Sequence, residues 1–352
     1  MAFPRFRLNP QTERRLNRFR RIRRGYLSFV VLASLALLTV FGELLVNSRA
    51  LVVKFGGHYY FPTYGAFHPG SDFGEGYSYE TNYRHLGQRL AREGGGNWVL
   101  MPPVPFNSYE NDFRPGVYPP TAPSAAERHY LGTDTTGRDI LARLFYGFRI
   151  ALIFAAFYIG FVYGLGIAVG CAMGFFGGSV DLLGQRLVEI WSNLPFLYIV
   201  IIVASLVRPD LTLLVIITGL FSWTGMTYYM RTATYREKAR DYVAAAEVLG
   251  ASTSRIIFRH ILPNTLSMLV TFVPFTLAAA ISSLTALDFL GFGLPVPTPS
   301  WGELLHQGTA NLDAPWIVSS VFFSIVFVLS LVTFVGEAVR EAFDPKKFTT
   351  YE

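Results

Sequence analysis

The chain has 352 residues, 51% of them hydrophobic and only 15% charged. Soluble domains carry about 25% charged residues, so this composition belongs to an integral membrane protein. The net charge of +6 admits nucleic acid as a partner, but the charges cluster beside apolar runs, which argues against it. The one cysteine, Cys171, lies inside an apolar run; it permits no intrachain disulfide and no cysteine-built metal site.

Residues 1–25 hold Arg5, Arg7, Arg14, Arg15, Arg18, Arg20, Arg21, Arg23 and Arg24 against one acid, Glu13. An apolar run follows at once, so this reads as a cytoplasmic anchor rather than a nucleic-acid arm. Tyr26–Val46 is long enough to cross ~30 Å of hydrocarbon. Ser48 and Ala50 form a small-x-small pair after it, but the run is too long and its basic lead too extended for a signal peptide. An uncleaved first span over 26–46 is expected. Glu43, near its outer end, faces the interface or a partner helix.

Residues 47–148 are rich in Gly, Pro, Tyr and Phe and contain no spanning run. With the amino end inside, this segment lies outside. Leu51–Phe55 and His58–Phe61 read as short strands of a partly β, loop-rich fold. Residues 149–340 hold five further spans, about Ile150–Phe175, Leu187–Val207, Leu211–Tyr229, Leu266–Leu287 and Ile317–Val335. Alternation then places Arg186, Arg231, Arg236, Lys238, Arg240, Arg255, Arg259, Arg340, Lys346 and Lys347 on the cytoplasmic side, and only Arg208 in the short outer loops. Both termini, including the tail 336–352, are thus expected inside. Gly160, Gly164, Gly166, Gly170 and Gly174 recur at spacings that let helix backbones approach, within this chain or against a second subunit.

Met230–Asn264 is polar and basic between two spans. Tyr235–Leu249 has helical spacing through Ala239, Val243, Ala246 and Leu249. Gly250 sits where a left-handed cap belongs. Ser252 is placed to cap a second helix through its hydroxyl, and that helix is expected to end near Pro263. The pattern is helix, glycine hinge, helix.

No GxxxxGK[ST] phosphate loop and no HExxH occur, and the six histidines are scattered. Arg186 and Glu189 are spaced to pair along one helix face. Pro195 predicts a kink in the third span. Asp288, Glu337 and Glu341 read as span-boundary residues. No string of acids crosses the middle of the spans, so driven transport would take its energy from a partner.

Four motifs resemble permease subunits of bacterial ABC importers of the oligopeptide, dipeptide and nickel class, closest to the microcin C/oligopeptide type. Leu131–Asp139 (LGTDTTGRD), with Gly132, Thr133, Asp134, Gly137, Arg138 and Asp139, resembles the motif before the second span. Ala244, Ala245, Ala246, Gly250, Leu262 and Pro263 resemble the EAA loop. Phe289–Gly302, with Gly291, Gly293, Pro299, Trp301 and Gly302, resembles the last outer loop. Gly336–Pro345 resembles the carboxyl-terminal motif. The resemblance implies an all-α polytopic membrane protein of the type I importer permease fold, with six transmembrane helices and a loop-rich insertion after the first.

It implies an inner-membrane importer subunit, not an enzyme, that transports peptides or peptide-like compounds. Its partners would be a homologous permease, ABC ATPase subunits that bind ATP and Mg, a periplasmic binding protein and the lipid bilayer. The chain itself would hold no cofactor and no nucleic acid. The loop 230–264 would dock on the ATPase. This sequence departs from the motif at Ala244, where a glutamate is expected; Glu247 is the nearby acid, expected to face a basic group. Three alternatives stand at this point: a permease for nickel or another small solute, a membrane enzyme acting through its outer segment, and a membrane scaffold or channel with no driven cycle.

Overall fold

A computed structural model describes residues 10–343. The chain forms two compact units. One takes the chain up to Ala33, Ile153–Leu284 and the chain from Phe327; the other takes Ser34–Leu152 and Thr285–Val326. Among the described residues, five helices are long and apolar enough to span: α2 (Arg23–Val40), α5 (Ile140–Phe176), α8 (Leu211–Lys238), α10 (Thr253–Phe289) and α12 (Pro315–Phe343). A sixth span is possible from α6 (Gly178–Ser192) and α7 (Phe196–Leu206), which meet at 69°.

In the first unit, α1 (Pro10–Arg21) carries Glu13 in its first turn and Arg18, Arg20 and Arg21 in its last, matching the helix dipole at both ends. Phe19 anchors it, buried against Ala338 and Ala342. Gly25, in α2, approaches α12 so closely that a Cβ there would lie 2.0 Å from that of Ala338. Three of the spaced glycines serve contact within the chain. Added Cβ atoms at Gly166, Gly170 and Gly174 would lie 2.6–2.7 Å from atoms of Met226, Thr227 and Arg231 on α8, whereas those at Gly160 and Gly164 would meet nothing within 4 Å.

Pro195 does more than kink the third span. α6 closes at Asn193, and Pro195 opens α7 in extended backbone, φ −76° and ψ 98°. A proline offers no N–H and holds its predecessor out of the helical region, so the ladder restarts rather than bends. Residues 178–186, expected as a loop, already belong to α6. Arg186 Nη1 does meet Glu189 Oε2, at 2.6 Å on an exposed face.

In the second unit the first span ends earlier than expected. α2 stops at Val40, and a short turn of helix, α3 (Gly42–Leu45), follows. Arg149 explains the stop. It donates to Thr39 O at 2.7 Å and to the Glu43 carboxylate at 2.8 and 3.1 Å, so the end of the helix is bound by a side chain instead of by the next turn. The hydrogen bond from Arg149 also holds the Glu43 carboxyl below its ordinary range.

The outer segment is built on β1 (Val52–Phe55), β2 (His58–Tyr60) and β3 (Trp98–Leu100), in the order β2-β1-β3 and antiparallel. The first two answer the expected strands. Asn82 Oδ1 caps α4 (Tyr83–Glu93) by accepting from His85 N at 3.2 Å. Tyr83, Leu86 and Leu90 then fall on one face of α4 and bury against Ala50, Val53 and Phe73. α9 (Asp241–Val248) and α11 (Trp301–Ala310) are the remaining α-helices among the described residues, and a 3-10 turn lies at Gly70–Phe73.

Candidate coupling surface and outer motif

In the first unit, α8 runs past the expected membrane boundary to Lys238, and the chain breaks at Ala239 and Arg240 before α9. The single helix expected over 235–249 is therefore two. Glu237 drives the break. It is buried, accepts from Tyr242 Oη at 2.9 Å and pairs with Arg240 Nε at 3.2 Å, so both chain segments turn around one carboxylate. Burial, and then that bond to Glu237, raises the Tyr242 phenol. Lys238 Nζ donates to Phe175 O at 2.5 Å, closing the end of α5. Arg231 and Tyr235 bind Asp181 in the first turn of α6, Tyr235 Oη donating at 2.9 Å.

α9 presents two different faces. Val243 and Ala246 are buried with Phe175, Ile256 and Ile261. Ala244, Ala245, Glu247 and Gly250 are exposed, and Val248 and Leu249 are 87% and 86% exposed. The alanine triplet thus splits, Ala246 to the core and its neighbours outward. Gly250 has φ +77°, Gly250 N donates to Glu247 O and Ala251 N to Ala246 O. This pair of bonds is a Schellman cap, the left-handed hinge that the sequence predicts.

Three details differ from expectation. Ser252 stands at an N-cap with extended backbone, but its hydroxyl meets Ser254 Oγ at 3.4 Å and caps no backbone N–H. The helix that follows does not end at Pro263; it runs to Phe289. A π turn over Ile256–Ile261 widens the ladder, with Leu262 N donating to Ile257 O, and this admits the proline ring without the usual clash. Glu247 makes no ion pair among the described residues; the acid that organises the loop is Glu237. Leu262 and Pro263 sit just beyond the π turn.

In the second unit the motif 131–139 folds into a closed loop. Gly132 has φ +79°, and a Cβ there would lie 2.6 Å from Thr121 O. Gly137 has φ +82°. Thr133 Oγ1 accepts from Thr121 N at 2.8 Å. Asp134 Oδ1 accepts from Thr136 N at 2.9 Å and Arg138 N at 3.0 Å, a side-chain turn typical of aspartate. Asp139 caps α5, its Oδ1 accepting from Ala142 N at 2.7 Å.

This loop meets the 289–302 motif, a juxtaposition not evident from the two stretches of sequence. Arg138 Nη2 reaches Glu303 Oε1 at 3.3 Å and Arg143 Nη2 reaches Glu303 Oε2 at 2.5 Å. Asp134 Oδ2 binds Arg138 Nε at 2.8 Å and faces Arg143 Nε at 3.5 Å. Thr135 Oγ1 donates to Gln307 Oε1 at 2.7 Å. Four charges therefore close a ring, with Asp134, Arg138 and Arg143 buried. Glu303 was visible as a signal: Ser300 and Glu303 have capping-box spacing. Ser300 Oγ does accept from Gly302 N and Glu303 N, but the Glu303 side chain goes to the arginines.

Trp301 Nε1 donates to Leu144 O at 2.9 Å, and its ring stacks on Phe148. Asp288 does sit at the boundary, one residue before its span ends at Phe289, but it does more than mark it. It is buried, accepts from Leu294 N at 2.7 Å and from the Ser300 hydroxyl, and folds the loop around itself. Gly293 and Gly302 are required by this fold, since Cβ atoms there would lie 1.8 Å from Asp288 Oδ1 and 2.1 Å from Thr285 O. Gly291 has φ +80° and Pro299 is buried.

His129, which spacing alone passes over, is fully buried between two acids, Nδ1 at 2.8 Å from Asp139 Oδ2 and Nε2 at 3.1 Å from Asp112 Oδ2. Phe106 stacks on its ring at 3.9 Å. Burial works against its charge, but hydrogen bonds to Asp112 and Asp139 outweigh burial and raise its pKa; the His129 bond in turn lowers that of Asp112. The imidazole is thereby held from both sides. No group of three or more potential metal ligands occurs among the described residues.

Residues 166–349 match the model of the binding-protein-dependent transport system inner membrane component. The chain belongs to this family. The match contains the loop 230–264 and the 289–302 motif. The inner membrane ABC transporter permease protein YejE of Escherichia coli is 42% identical, over 97% of this chain and 99% of that protein. The peptidoglycan transport system permease protein YejE of Agrobacterium fabrum is 37% identical, over 96% and 94%. The oligopeptide transport system permease protein OppC of Haemophilus influenzae is 34% identical, over 64% and 73%. A solved chain of the methionine transporter MetNI, in an inward-facing conformation, aligns at 16% identity over 58% of this chain and 97% of its own, with a TM-score of 0.48.

The permease is thus a multi-pass inner-membrane subunit of an ABC transporter, and not itself an enzyme. Its carboxyl-terminal motif is partly visible. Gly336 packs on Phe275, a Cβ there falling 2.9 Å from the ring, and Glu337 pairs with Arg24 at 3.5 Å. Asp344 and Pro345, like Lys346 and Lys347, lie outside the described residues.

Proposed function

We propose that this permease, with a second homologous permease, forms the path by which peptides or peptide-like compounds enter the cell. Separate ATPase subunits holding ATP and Mg drive it, and a periplasmic binding protein delivers the solute. Both termini lie in the cytoplasm, and residues 47–130 lie outside. The basic residues about the loop 230–264 support that orientation. The peptide class is supported by the relatives that transport oligopeptides and peptidoglycan.

The observation that carries the coupling role is the outward face of α9. Ala244, Ala245, Val248 and Leu249 are exposed on a short helix whose other face is locked to the core by Val243 and Ala246. Small residues allow close approach of another surface, and two nearly fully exposed aliphatic side chains supply apolar area for it. A push on this helix is transmitted to α8 through Glu237, Tyr242 and Arg240, and to α10 through the Gly250 hinge. The test is reconstitution of the complete transporter. Leu249→Asp should release the ATPase or uncouple its hydrolysis from uptake of labelled short peptides; unchanged coupling would remove the role assigned to this face.

A further inference from the structure

We propose that a cleft in the outer segment binds a short peptide in extended form, added as a strand beside β3 with its free carboxylate at Arg128. This rests on the peptide-importer reading above and deepens it.

The cleft has a volume of about 900 Å3. That lies near the top of the range for small-ligand sites, roughly 300–1,000 Å3. One wall is a face of α4 with Arg84, Gln88 and Ala91, and another is Val99, Leu100 and Met101. No residue of β1 or β2 lines it. The strand order makes β3 an edge, with β1 on its other side. The cleft therefore runs along the side of the sheet that has no further strand. An open strand edge accepts another extended chain through main-chain hydrogen bonds, while neighbouring pockets take its alternate side chains. Leu100 and Phe113, 50% and 67% exposed, are apolar surfaces placed for that purpose.

The charges of the cleft select an end of the peptide. Arg84 is held by Glu110 at 2.5 Å and by Pro105 O at 2.7 Å. Arg114 is held by Asp112 and Glu127. Arg128 also lines the cleft, is exposed, and makes no ion pair among the described residues. Its backbone has φ +62°, as the residue that closes the 125–128 turn, where Arg128 N donates to Ala125 O between the paired Ser124 and His129. A guanidinium without an acid partner at the mouth of a cleft fits a peptide α-carboxylate, which it can bind through two hydrogen bonds.

The test uses the purified full-length permease in lipid nanodiscs and a dye-labelled Ala-Leu-Ala-Leu peptide, as free acid and as carboxyl-terminal amide. Wild type should bind the free acid. Arg128→Gln should weaken that binding about tenfold, the worth of a charge-assisted contact, and leave amide binding unchanged. Gln88→Trp, which fills the cleft from an exposed position, should abolish binding of both peptides while keeping the wild-type melting temperature. Equal affinity of wild type and Arg128→Gln for the free acid overturns the inference, as does binding that survives Gln88→Trp, or no binding to wild type at millimolar peptide. Crosslinking from position 113 to the binding protein instead of the peptide also overturns it. Uptake by the complete transporter separates the two readings. Peptide uptake without cleft binding removes the cleft and keeps the importer; absence of peptide uptake removes the importer reading itself.

Discussion

The loop around α9 and the motif around Asp134 are both short, polar and glycine-containing, yet they are built on opposite principles. The outer motif turns every charge inward. Asp134, Arg138 and Arg143 are buried and closed into a ring by Glu303. The loop around α9 keeps Val243 and Ala246 inside but leaves Val248 and Leu249 almost fully exposed. A buried charge demands its partner, so the first region is fixed by its own side chains. An exposed leucine demands nothing of the fold, so the second is shaped for contact with another surface. Stability and function are expected to separate along this line.

Arg143→Met should have the largest effect on folding. It leaves Glu303 and Asp134 short of a buried cation, a loss of about 3–5 kcal/mol when one partner is removed. Thermal unfolding of the purified permease should show a large fall in melting temperature. A small fall would mean that the ring is solvated and that the contrast is weaker than drawn.

Gly132→Ala should come next. The added Cβ meets Thr121 O at 2.6 Å, and φ +79° is itself unfavourable for alanine. Overpacking of this kind costs about 1–3 kcal/mol. Gly137→Ala shares the strain but has more room, its nearest neighbour being 3.6 Å away, so it should lose less in the same unfolding measurement.

The His129 clamp sharpens the comparison through pH. Its pKa is raised in the folded state above the ordinary 6.5, so its contribution is complete below that value and fades as pH rises through the folded pKa. Asp112 has a lowered pKa, so its contribution is present above its ordinary 3.8 and fades as pH falls below it. Melting temperature should therefore decline on the alkaline side of 6.5. His129→Gln should flatten that decline while lowering stability at pH 6; a slope unchanged by the substitution would separate the clamp from the pH response.

The smallest effect on folding belongs to Leu249→Ser. Exposed positions usually change stability by no more than about 0.5 kcal/mol. The melting temperature should barely move while ATPase retention in the assembled transporter falls. A marked loss of stability would show that α9 is held by its outer face as well as its inner one.

Much of this was readable from residue order. Gly250 is the case where the sequence signal was complete: glycine alone enters φ +77° cheaply, and the Schellman bonds follow from that. Pro195 was read for its position but not its degree, because whether a proline bends or breaks a helix depends on what its neighbours pack against. The sequence points to Glu247 because it follows the alanine triplet directly, and gives no local sign of Glu237. Burial decided otherwise, since Glu237 alone faces Tyr242 and Arg240 across the chain reversal. Asp288 ends its span as the apolar run predicts, but only the return of Ser300 and Leu294 shows that it is also the centre of its loop.

By itself the sequence determined the membrane class, the apolar segments, the left-handed glycines and the four motifs that mark the family. These depend on composition, local spacing and backbone sterics, which act over a few residues. Only the tertiary structure decided that Arg138 and Arg143 share Glu303, that His129 lies between Asp112 and Asp139, and that Ala246 faces inward while Leu249 faces out. Those pairings join residues from 10 to 165 positions apart. Their energies depend on burial and on the closing of a buried polar network, which no local pattern encodes.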